Sequence, residues 1–567
     1  MAKKTSKKAA KAVKKVAVKK AAKKAAKKAA PKKVAKKAAP AKKAAPKVPK
    51  KAAPAKAAKK TAAPKKAAAK TAKAAPASKP KAARKAKAAP KKAASAAPVK
   101  SPKKAAVKPA ESSVRKAAPA AAPRKAAAVP SKPPKREPIP TRDVFSVTLE
   151  NGVRVITERV PNAKQVAVGV FVKAGSRFEE LNESGVTYLL QKISFHGTKH
   201  RNASAIAKSI EQLGGNVETV TDRDYCKYTA RMSSADLEKG LDLLTELSLY
   251  PQITKAGFAA ETKQALEELR EDEEAPDFML DRMFFRSFWK GHGLCRPPKG
   301  RLLHSKGQTK LENFKPKTIE RYHTRSHHPK GLTVVASGAL DHEKFVKLVD
   351  KRFGHLEEPK KKVSSPSPTA FRFLALRNRP QFEDIRFRLG VPACNASEPE
   401  RHGARILNAI LGGSPASRLA RDLADGKLQA NEAYSELVMF ADAGCLSVRV
   451  RCEREHAVDS LETVMKEVRR LALGDISEEE LDWAKAYCRQ ELLEAVASLE
   501  ARVDDLARQE RYFHHVVSLE EEIEALENVK PDRVRMLGAA WIAPHHLSLA
   551  VLGNLKGVNI RPSVLSW

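Results

Sequence analysis

The first 136 residues of this chain contain no aromatic residue, no glycine, no leucine or isoleucine and a single acidic residue, Glu111. The first aromatic residue is Phe145, and the first glycine is Gly152. Such a segment cannot bury enough apolar surface to offset the entropy that ordering it would cost. These absences exclude a single globule of 567 residues. They predict a long disordered basic arm, residues 1–136, followed by enough chain of ordinary globular composition for two domains.

Long apolar runs and paired cysteines are also missing. No run of about 18 apolar residues is present, and no apolar stretch follows Met1, so we expect neither a membrane span nor a signal peptide. None of the six cysteines forms a C-x-x-C pair, which argues against a zinc ribbon or a dithiol site. Buried free thiols in a reducing compartment fit this pattern. The sequence therefore predicts a cytoplasmic protein.

Charge is concentrated in the arm. Residues 1–136 hold 47 of the 110 Lys and Arg residues and carry a formal charge of +46, whereas the remaining 431 residues sum to +1. Proline closes each Lys-Ala block and stops helix growth. Lysines that neutralise phosphates release counterions, which gives salt-dependent binding without sequence preference. Lysines of this kind include Lys14, Lys15, Lys19, Lys20, Lys42 and Lys43.

The arm resembles, in composition, the C-terminal tails of linker histones and the Lys-Ala-Pro tails of bacterial nucleoid-binding proteins. This resemblance implies contact with nucleic acid or another polyanion, and association with the nucleoid. Because the arm has no aromatic residue to stack on bases, we do not expect base readout. A solubilising or passively sticky tail is the alternative interpretation.

Strand and helix patterns alternate through the rest of the chain. An Asn151-Gly152 turn between alternating apolar residues predicts a hairpin over 144–160. Helical spacing follows at 183–194, and the order of strands and helix pairs recurs after a polar, Pro/Ser-rich segment. We therefore predict an α+β fold with two similar sheet-plus-helix domains in tandem. The predicted boundaries are 137–358 for the N-terminal domain, 359–369 for the linker and 370–567 for the C-terminal domain.

Two N-terminal stretches, 149–225 and 261–300, resemble the insulinase-type metallopeptidases. The likeness is to the branch that contains the mitochondrial processing peptidase, the core proteins of the cytochrome bc1 complex and short bacterial relatives. In the C-terminal half, LGGSPASRLARDL (411–423) and residues 484–513 agree with the same family. The resemblance implies two similar domains that form one half of a clam shell.

Members of this family hold zinc with an H-x-x-E-H motif. The two histidines bind the ion, the glutamate between them is the general base, and a later glutamate is the third protein ligand. The motif falls without a gap on Tyr188, Gln191 and Lys192 of this chain, in place of the first His, the Glu and the second His. Glu268 keeps the place of the distal ligand, and Glu261 is an earlier acid of the same helix.

These replacements remove all three roles of the motif. Tyrosine ligates zinc poorly unless ionised, with an ordinary pKa of about 10; lysine repels a dication, and glutamine cannot take a proton. We therefore expect no zinc, no other cofactor and no hydrolysis at this site. The spacing predicts that Lys192 points toward Glu268 and replaces the charge of the ion; an ordinary surface lysine is the alternative. Other histidines, such as His196, show no H-x-x-x-H spacing backed by a positioned acid.

The C-terminal half offers one further match. Active family members place an Arg and a Tyr there to grip the substrate backbone. Tyr434 matches the tyrosine, whereas the arginine has no clear counterpart in the longer segment 420–432. Tyr434 and Glu261 are therefore candidates for remnants of substrate contacts.

Three functions stay open on the sequence. The first is a catalytically inactive, metallopeptidase-like subunit with a polycationic arm for nucleic acid. It would pair with an active zinc peptidase chain or with itself, or act as a peptide-binding scaffold. The second is a zinc-dependent metalloendopeptidase with residual or relocated activity. The third is a nucleic-acid-associated protein whose globular part serves oligomerisation.

Overall fold

The structure is a computed structural model that describes residues 139, 141–300, 311–360 and 364–567. The predicted basic arm, with the lysines named for it, lies outside these residues. We refer to residues 141–360 as the N-terminal half and to residues 364–567 as the C-terminal half.

The N-terminal half is built on a six-stranded sheet of order β1-β2-β6-β3-β5-β4. Its strands are Asp143–Thr148 (β1), Arg154–Arg159 (β2), Gln165–Val172 (β3), Val217–Thr221 (β4), Cys226–Ser233 (β5) and Leu332–Gly338 (β6). Strands β2 and β6 are parallel, and the other neighbours are antiparallel. The predicted hairpin is confirmed, with Gly152 in the left-handed region at φ 99° between β1 and β2.

The C-terminal half repeats this plan with five strands in the order β7-β11-β8-β10-β9. They are Leu374–Asn378 (β7), Asp384–Ala393 (β8), Glu432–Met439 (β9), Gly444–Glu453 (β10) and Ser548–Gly553 (β11). Strands β7 and β11 are parallel, as β2 and β6 are. Without β1, the two sheets have the same strand order along the chain, which confirms the predicted tandem of similar domains.

Helices cover both sheets. In the N-terminal half they are Val186–Ser194 (α1), Ala203–Gln212 (α2), Leu237–Leu249 (α3), Lys255–Glu274 (α4), Pro276–Phe288 (α5), Pro316–Ser326 (α6) and His342–Phe353 (α7). In the C-terminal half they are Arg401–Asn408 (α8), Arg418–Ala424 (α9), Ala457–Ala472 (α10), Glu478–Glu494 (α11), Leu499–Phe513 (α12), Leu519–Glu527 (α13) and Pro531–Trp541 (α14). The sequence patterns did not predict α5, α6, α9, α13, α14, β7 or β9.

Each half places one helix on the sheet of the other half. Helix α12 lies on the N-terminal sheet, where Val503 and Leu506 join Ile156 and Phe171 in one apolar cluster. Helix α5 lies on the C-terminal sheet, where Phe284 shares a cluster with Ala550 and Leu552 of β11. The two helices hold equivalent places along the chain, since each follows a long helix, α4 or α11. Both sheets are therefore covered on one face by their own half and on the other face by the partner half.

Charged side chains pair across the contacts of α5 and α12, the two exchanged helices, with the sheets on which they lie. Fully buried Glu158 of β2 accepts hydrogen bonds from Arg142 and from Arg502 of α12. In the other half, buried Arg388 of β8 donates to Asp281 of α5 at 2.7 Å. Pairing of this kind offsets the cost of removing the charges from water.

Two further predictions concern the whole chain. Among the residues that the structure describes, no helix is long and apolar enough to cross a membrane. The six cysteines are buried free thiols, as predicted. The described residues between α7 and β7 form no helix or strand, and the domain boundaries proposed there remain a prediction.

Candidate active site

The candidate site lies between helices α1 and α4. Helix α1 begins after Gly185, whose φ of 93° and close approach to the Lys299 carbonyl leave no room for a Cβ. Buried Leu189, Leu190 and Ile193 of α1 belong to the same apolar cluster as Leu269 of α4. This packing holds the two helices together and leaves Tyr188 and Lys192 of α1 beside the polar side chains of α4.

A buried carboxylate holds the start of α1. The backbone N–H groups of Gly185 and Thr187 donate to Glu179, at 2.8 and 3.0 Å. These bonds satisfy donors that the first turn of a helix leaves without partners. Burial raises the pKa of Glu179 to about 7, although the two N–H bonds oppose the rise.

Lys192 and Tyr188 both bind Glu268. Lys192 Nζ donates to Glu268 Oε1 at 2.5 Å, and the Tyr188 hydroxyl donates to Oε2. Gln264 of α4 adds a third hydrogen bond at 3.1 Å. Burial alone would raise the pKa of Glu268, but the bonds from Lys192 and Tyr188 outweigh it and hold this pKa below its ordinary value. Burial and the Glu268 carboxylate raise the pKa of Tyr188, so its phenol stays protonated.

These residues do not fit the zinc ion of the motif. Zinc needs three or four N, O or S donors that carry lone pairs, whereas Lys192 is a cation and Tyr188 a protonated phenol. Their donors are already bound to the one carboxylate, Glu268, that remains. In the described part of the chain, no three His, Cys, Asp or Glu side chains converge as a metal site.

Gln191 faces away from the trio formed by Tyr188, Lys192 and Glu268. Its amide Nε2 donates to the Lys227 carbonyl of β5 at 2.9 Å, and its Oε1 accepts a hydrogen bond from the Thr221 hydroxyl of β4. Gln191 is buried there. The residue that replaces the general base thus ties α1 to two strands of the sheet.

Glu261 has a partner that sequence reasoning missed. Its Oε1 lies 2.6 Å from Nε2 of His196, just beyond the end of α1. No acid was named for His196 from the sequence, so this pair was not predicted. His196 lies past the last residue of α1, so helical spacing alone gave no signal for this pair.

Tyr434 belongs to a different cluster. It lies on β9 opposite Arg449 of β10, whose guanidinium is 5.8 Å from the centre of its ring. Burial raises the pKa of the Tyr434 phenol. Arg449 is in turn paired with Asp281 of α5 at 3.3 Å. The structure thus places this candidate substrate contact among the residues that hold α5 on the C-terminal sheet.

Two family models match the chain in sequence. Residues 154–298 match the model described as Insulinase (Peptidase family M16), and residues 313–488 match the Peptidase M16 inactive domain. The chain belongs to the insulinase family of metallopeptidases. Its altered H-x-x-E-H segment lies within the first of the two matched regions.

Relatives of this insulinase-family chain span most of its globular part. An uncharacterized zinc protease of Mycobacterium leprae is 27% identical over 427 residues, which cover 74% of this chain and 94% of the relative. Mitochondrial-processing peptidase subunit beta of Saccharomyces cerevisiae is 26% identical over 434 residues, 72% of this chain and 91% of that subunit.

Solved structures share the fold. A protease from Helicobacter pylori superposes with a TM-score of 0.67 at 21% identity, covering 73% of this chain and 100% of its own. A chain of Complex III2 from Candida albicans superposes with a TM-score of 0.64 at 19% identity, over 75% of this chain and 100% of that chain. These likenesses establish the two-domain α+β architecture.

Proposed function

We propose that this chain is a catalytically inactive member of the insulinase family that acts as a subunit or peptide-binding scaffold. The observation that carries the proposal is the Glu268 carboxylate, bound by Lys192 and Tyr188 where the family motif would hold zinc. The cation of Lys192 replaces the charge of the ion, and the trio keeps α1 and α4 in place without a metal. Gln191 cannot act as a general base because its side chain is an amide.

The partner in this proposal is an active zinc peptidase chain with an intact H-x-x-E-H motif, or a second copy of this chain. Similarity to a chain named a subunit of the mitochondrial processing peptidase, and to a chain of Complex III, supports pairing. Native mass spectrometry of the protein isolated from its own cells tests it, with metal content measured in the same sample. A heteromer whose zinc resides in the other chain is the expected result, whereas an isolated chain with one bound zinc would contradict it.

Restoring the two histidines gives a sharper test of the metal site. We expect the variant Tyr188→His/Lys192→His to bind one zinc ion through the new imidazoles and Glu268, and the unaltered chain to bind none. The same variant with Glu268→Gln added is the matched control, and it should not bind the zinc ion. Stoichiometric zinc in the unaltered chain that is lost on Glu268→Gln would instead support the alternative, a metalloendopeptidase with residual activity.

For the arm, we propose binding to nucleic acid from a cytoplasmic, nucleoid-associated location. Its charge of +46 over 136 residues supports this. The logarithm of the association constant for duplex DNA should fall linearly with the logarithm of the salt concentration. The association constant should not depend on the DNA sequence. A chain without residues 1–136 should lose this binding and keep its protein partner. If the partner were lost as well, the nucleic-acid-associated alternative, in which the globular part only oligomerises, would be favoured.

A further inference from the structure

The duplicated halves differ at one edge of their sheets. In the N-terminal half, β1 pairs antiparallel with β2 and covers the edge of that strand. Strand β7 holds the equivalent place in the C-terminal half, and among the described residues it pairs with β11 alone. An open strand edge is a template for a further strand. The N-terminal half shows that this fold accepts one there.

The backbone of β7 is ready for such pairing. Phe373 accepts a hydrogen bond from Leu549 of β11 through its carbonyl, and Arg379 donates its N–H to Gly553. Because successive residues of a strand turn their backbone groups to alternate sides, odd-numbered residues from 373 to 379 face β11. The N–H and C=O groups of Leu374, Leu376 and Asn378 therefore face outward.

The two faces of this edge differ in chemistry. The ring of Phe373 makes an edge-on contact with that of Phe284 of α5, so the odd-numbered side chains lie on the α5 face. Arg377 and Arg379 follow on that face, and Arg286 lies in the last turn of α5. The even-numbered side chains lie on the other face and include Leu376, which is 47% exposed.

The arginines of this edge lack acidic partners. Arg286, Arg372, Arg377 and Arg379 make no side-chain ion pair or hydrogen bond within the part of the chain that the structure describes. Burial, together with repulsion from Arg379 and Arg286, lowers the pKa of Arg377. Arg377 and Arg379 are half-buried, whereas Arg286 and Arg372 are exposed. Most other buried or half-buried arginines of the fold are paired with carboxylates, so Arg377 and Arg379 mark a place where negative charge would be favourable.

We propose that the β7 edge binds an extended acidic segment of a partner protein as an additional antiparallel strand. Alternate residues of that segment would carry carboxylates toward Arg377 and Arg379, and the residues between them would be apolar and cover Leu376. Main-chain hydrogen bonds supply affinity in strand addition, and alternate side chains supply specificity. The basic arm of this chain is excluded as the occupant by its charge. The proposal does not depend on whether the site at Glu268 is inactive.

The test uses the full chain and a short peptide of alternating valine and glutamate. Hydrogen–deuterium exchange over residues 371–380 should slow on peptide addition, because the outward N–H groups of Leu374, Leu376 and Asn378 gain acceptors. A peptide of the same charge that is N-methylated at alternate residues should give no protection, although it could still bind the basic arm. A lysine–valine peptide should give none either.

Two variants separate pairing from charge. Leu376→Pro removes one outward donor without touching the β11 ladder and should abolish the protection, whereas Leu376→Ala should keep most of it. Arg377→Glu/Arg379→Glu should weaken peptide binding about tenfold, as the loss of two exposed ion pairs predicts, and should give protection by the lysine–valine peptide instead.

Two results would overturn the proposal. One is peptide binding that leaves exchange over 371–380 unchanged, or changes it equally in Leu376→Pro. The other is protection of these amides without peptide that rises with protein concentration, since a second copy of the chain would then occupy the edge.

Discussion

The same helix pair is joined by different chemistry in the two halves. In the C-terminal half, α8 packs on α11 through an apolar cluster that includes Ile406, Leu407, Ala484 and Cys488. In the N-terminal half, α1 and α4 combine an apolar cluster with the trio around Glu268. The fold itself therefore accepts apolar packing at this position. The polar trio is a feature of the site, and half-buried ion pairs of this kind add little net stability over apolar replacements.

The largest effect should come from the charged residues that hold the exchanged helices. Glu158→Gln would leave Arg142 and Arg502 without the buried carboxylate they share, and should lower the free energy of unfolding by about 3–5 kcal/mol. Asp281→Asn is the matched variant of the C-terminal half. Because Asp281 is 26% exposed and buried Arg388 keeps its ion pair with Glu436, we expect a loss of about 1–2 kcal/mol. Urea unfolding measures the loss in free energy of unfolding for each variant. Equal losses would mean that the two carboxylates stabilise the fold to the same extent.

At the helix pair, Lys192→Met should cost about 2 kcal/mol, because Glu268 loses a charged hydrogen-bond partner. The variant Lys192→Met/Tyr188→Phe/Glu268→Met makes the α1–α4 contact as apolar as the α8–α11 contact. It should recover stability to within about 1 kcal/mol of the unaltered chain. A triple variant less stable than Lys192→Met would mean that the trio is needed for folding.

Buried histidines should give both halves a similar dependence on pH. Burial lowers the pKa of His402 to about 4 in the C-terminal half, and lowers that of His323 in the N-terminal half. Below about pH 6.5 the unfolded chain binds protons that these imidazoles do not, so each histidine lowers the free energy of unfolding by about 1.4 kcal/mol per pH unit as pH falls toward its folded pKa. His402→Gln should remove one such contribution from the slope between pH 6 and pH 5.

Glu179 changes the free energy of unfolding with pH in the opposite direction to the histidines. The slope of His402→Gln must therefore be compared with that of the unaltered chain. Its raised pKa of about 7 means that the folded chain binds a proton over the range where the unfolded carboxyl has lost it. That contribution is fully present below about pH 4.5 and is lost as pH rises through about 7. An unchanged slope in His402→Gln would show that His402 is protonated in the folded chain.

The smallest effect should be at the second contact of α1 with α4. His196 is 34% exposed, so water competes with its hydrogen bond to Glu261. His196→Ala should therefore lower the free energy of unfolding by less than about 1 kcal/mol in urea titrations. A loss as large as that of Lys192→Met would make the two contacts equivalent.

Local patterns predicted most of the fold. The turn at Gly152 and the helical spacing at 183–194 each depend on nearby residues. The meeting of Lys192 with Glu268 was instead predicted from the family resemblance, because Glu268 keeps the place of the distal zinc ligand. Helix α5 was missed because its apolar side chains, such as Phe284, pack on a sheet more than 100 residues away in sequence.

Contacts that depend on how helices and strands pack against each other could not be predicted from the sequence either. Gln191 could not be placed against Thr221 and Lys227 without knowing which strands lie beside α1. The pair His196–Glu261 required the separation of two helix axes. Strand β7 is only five residues long, and its significance became clear from comparison with β2 and its neighbour β1.

The exchange of α5 and α12 has a consequence for whether either half can fold alone. The exchange has the form of a domain swap, in which two similar units trade an identical element, here within one chain. If the chain were cut between residues 358 and 370, each fragment would expose an apolar sheet face. Each fragment would also carry a helix, α5 or α12, that has lost the sheet on which it packs. We therefore expect the fragments to be recovered as a complex when co-expressed and to aggregate when produced alone.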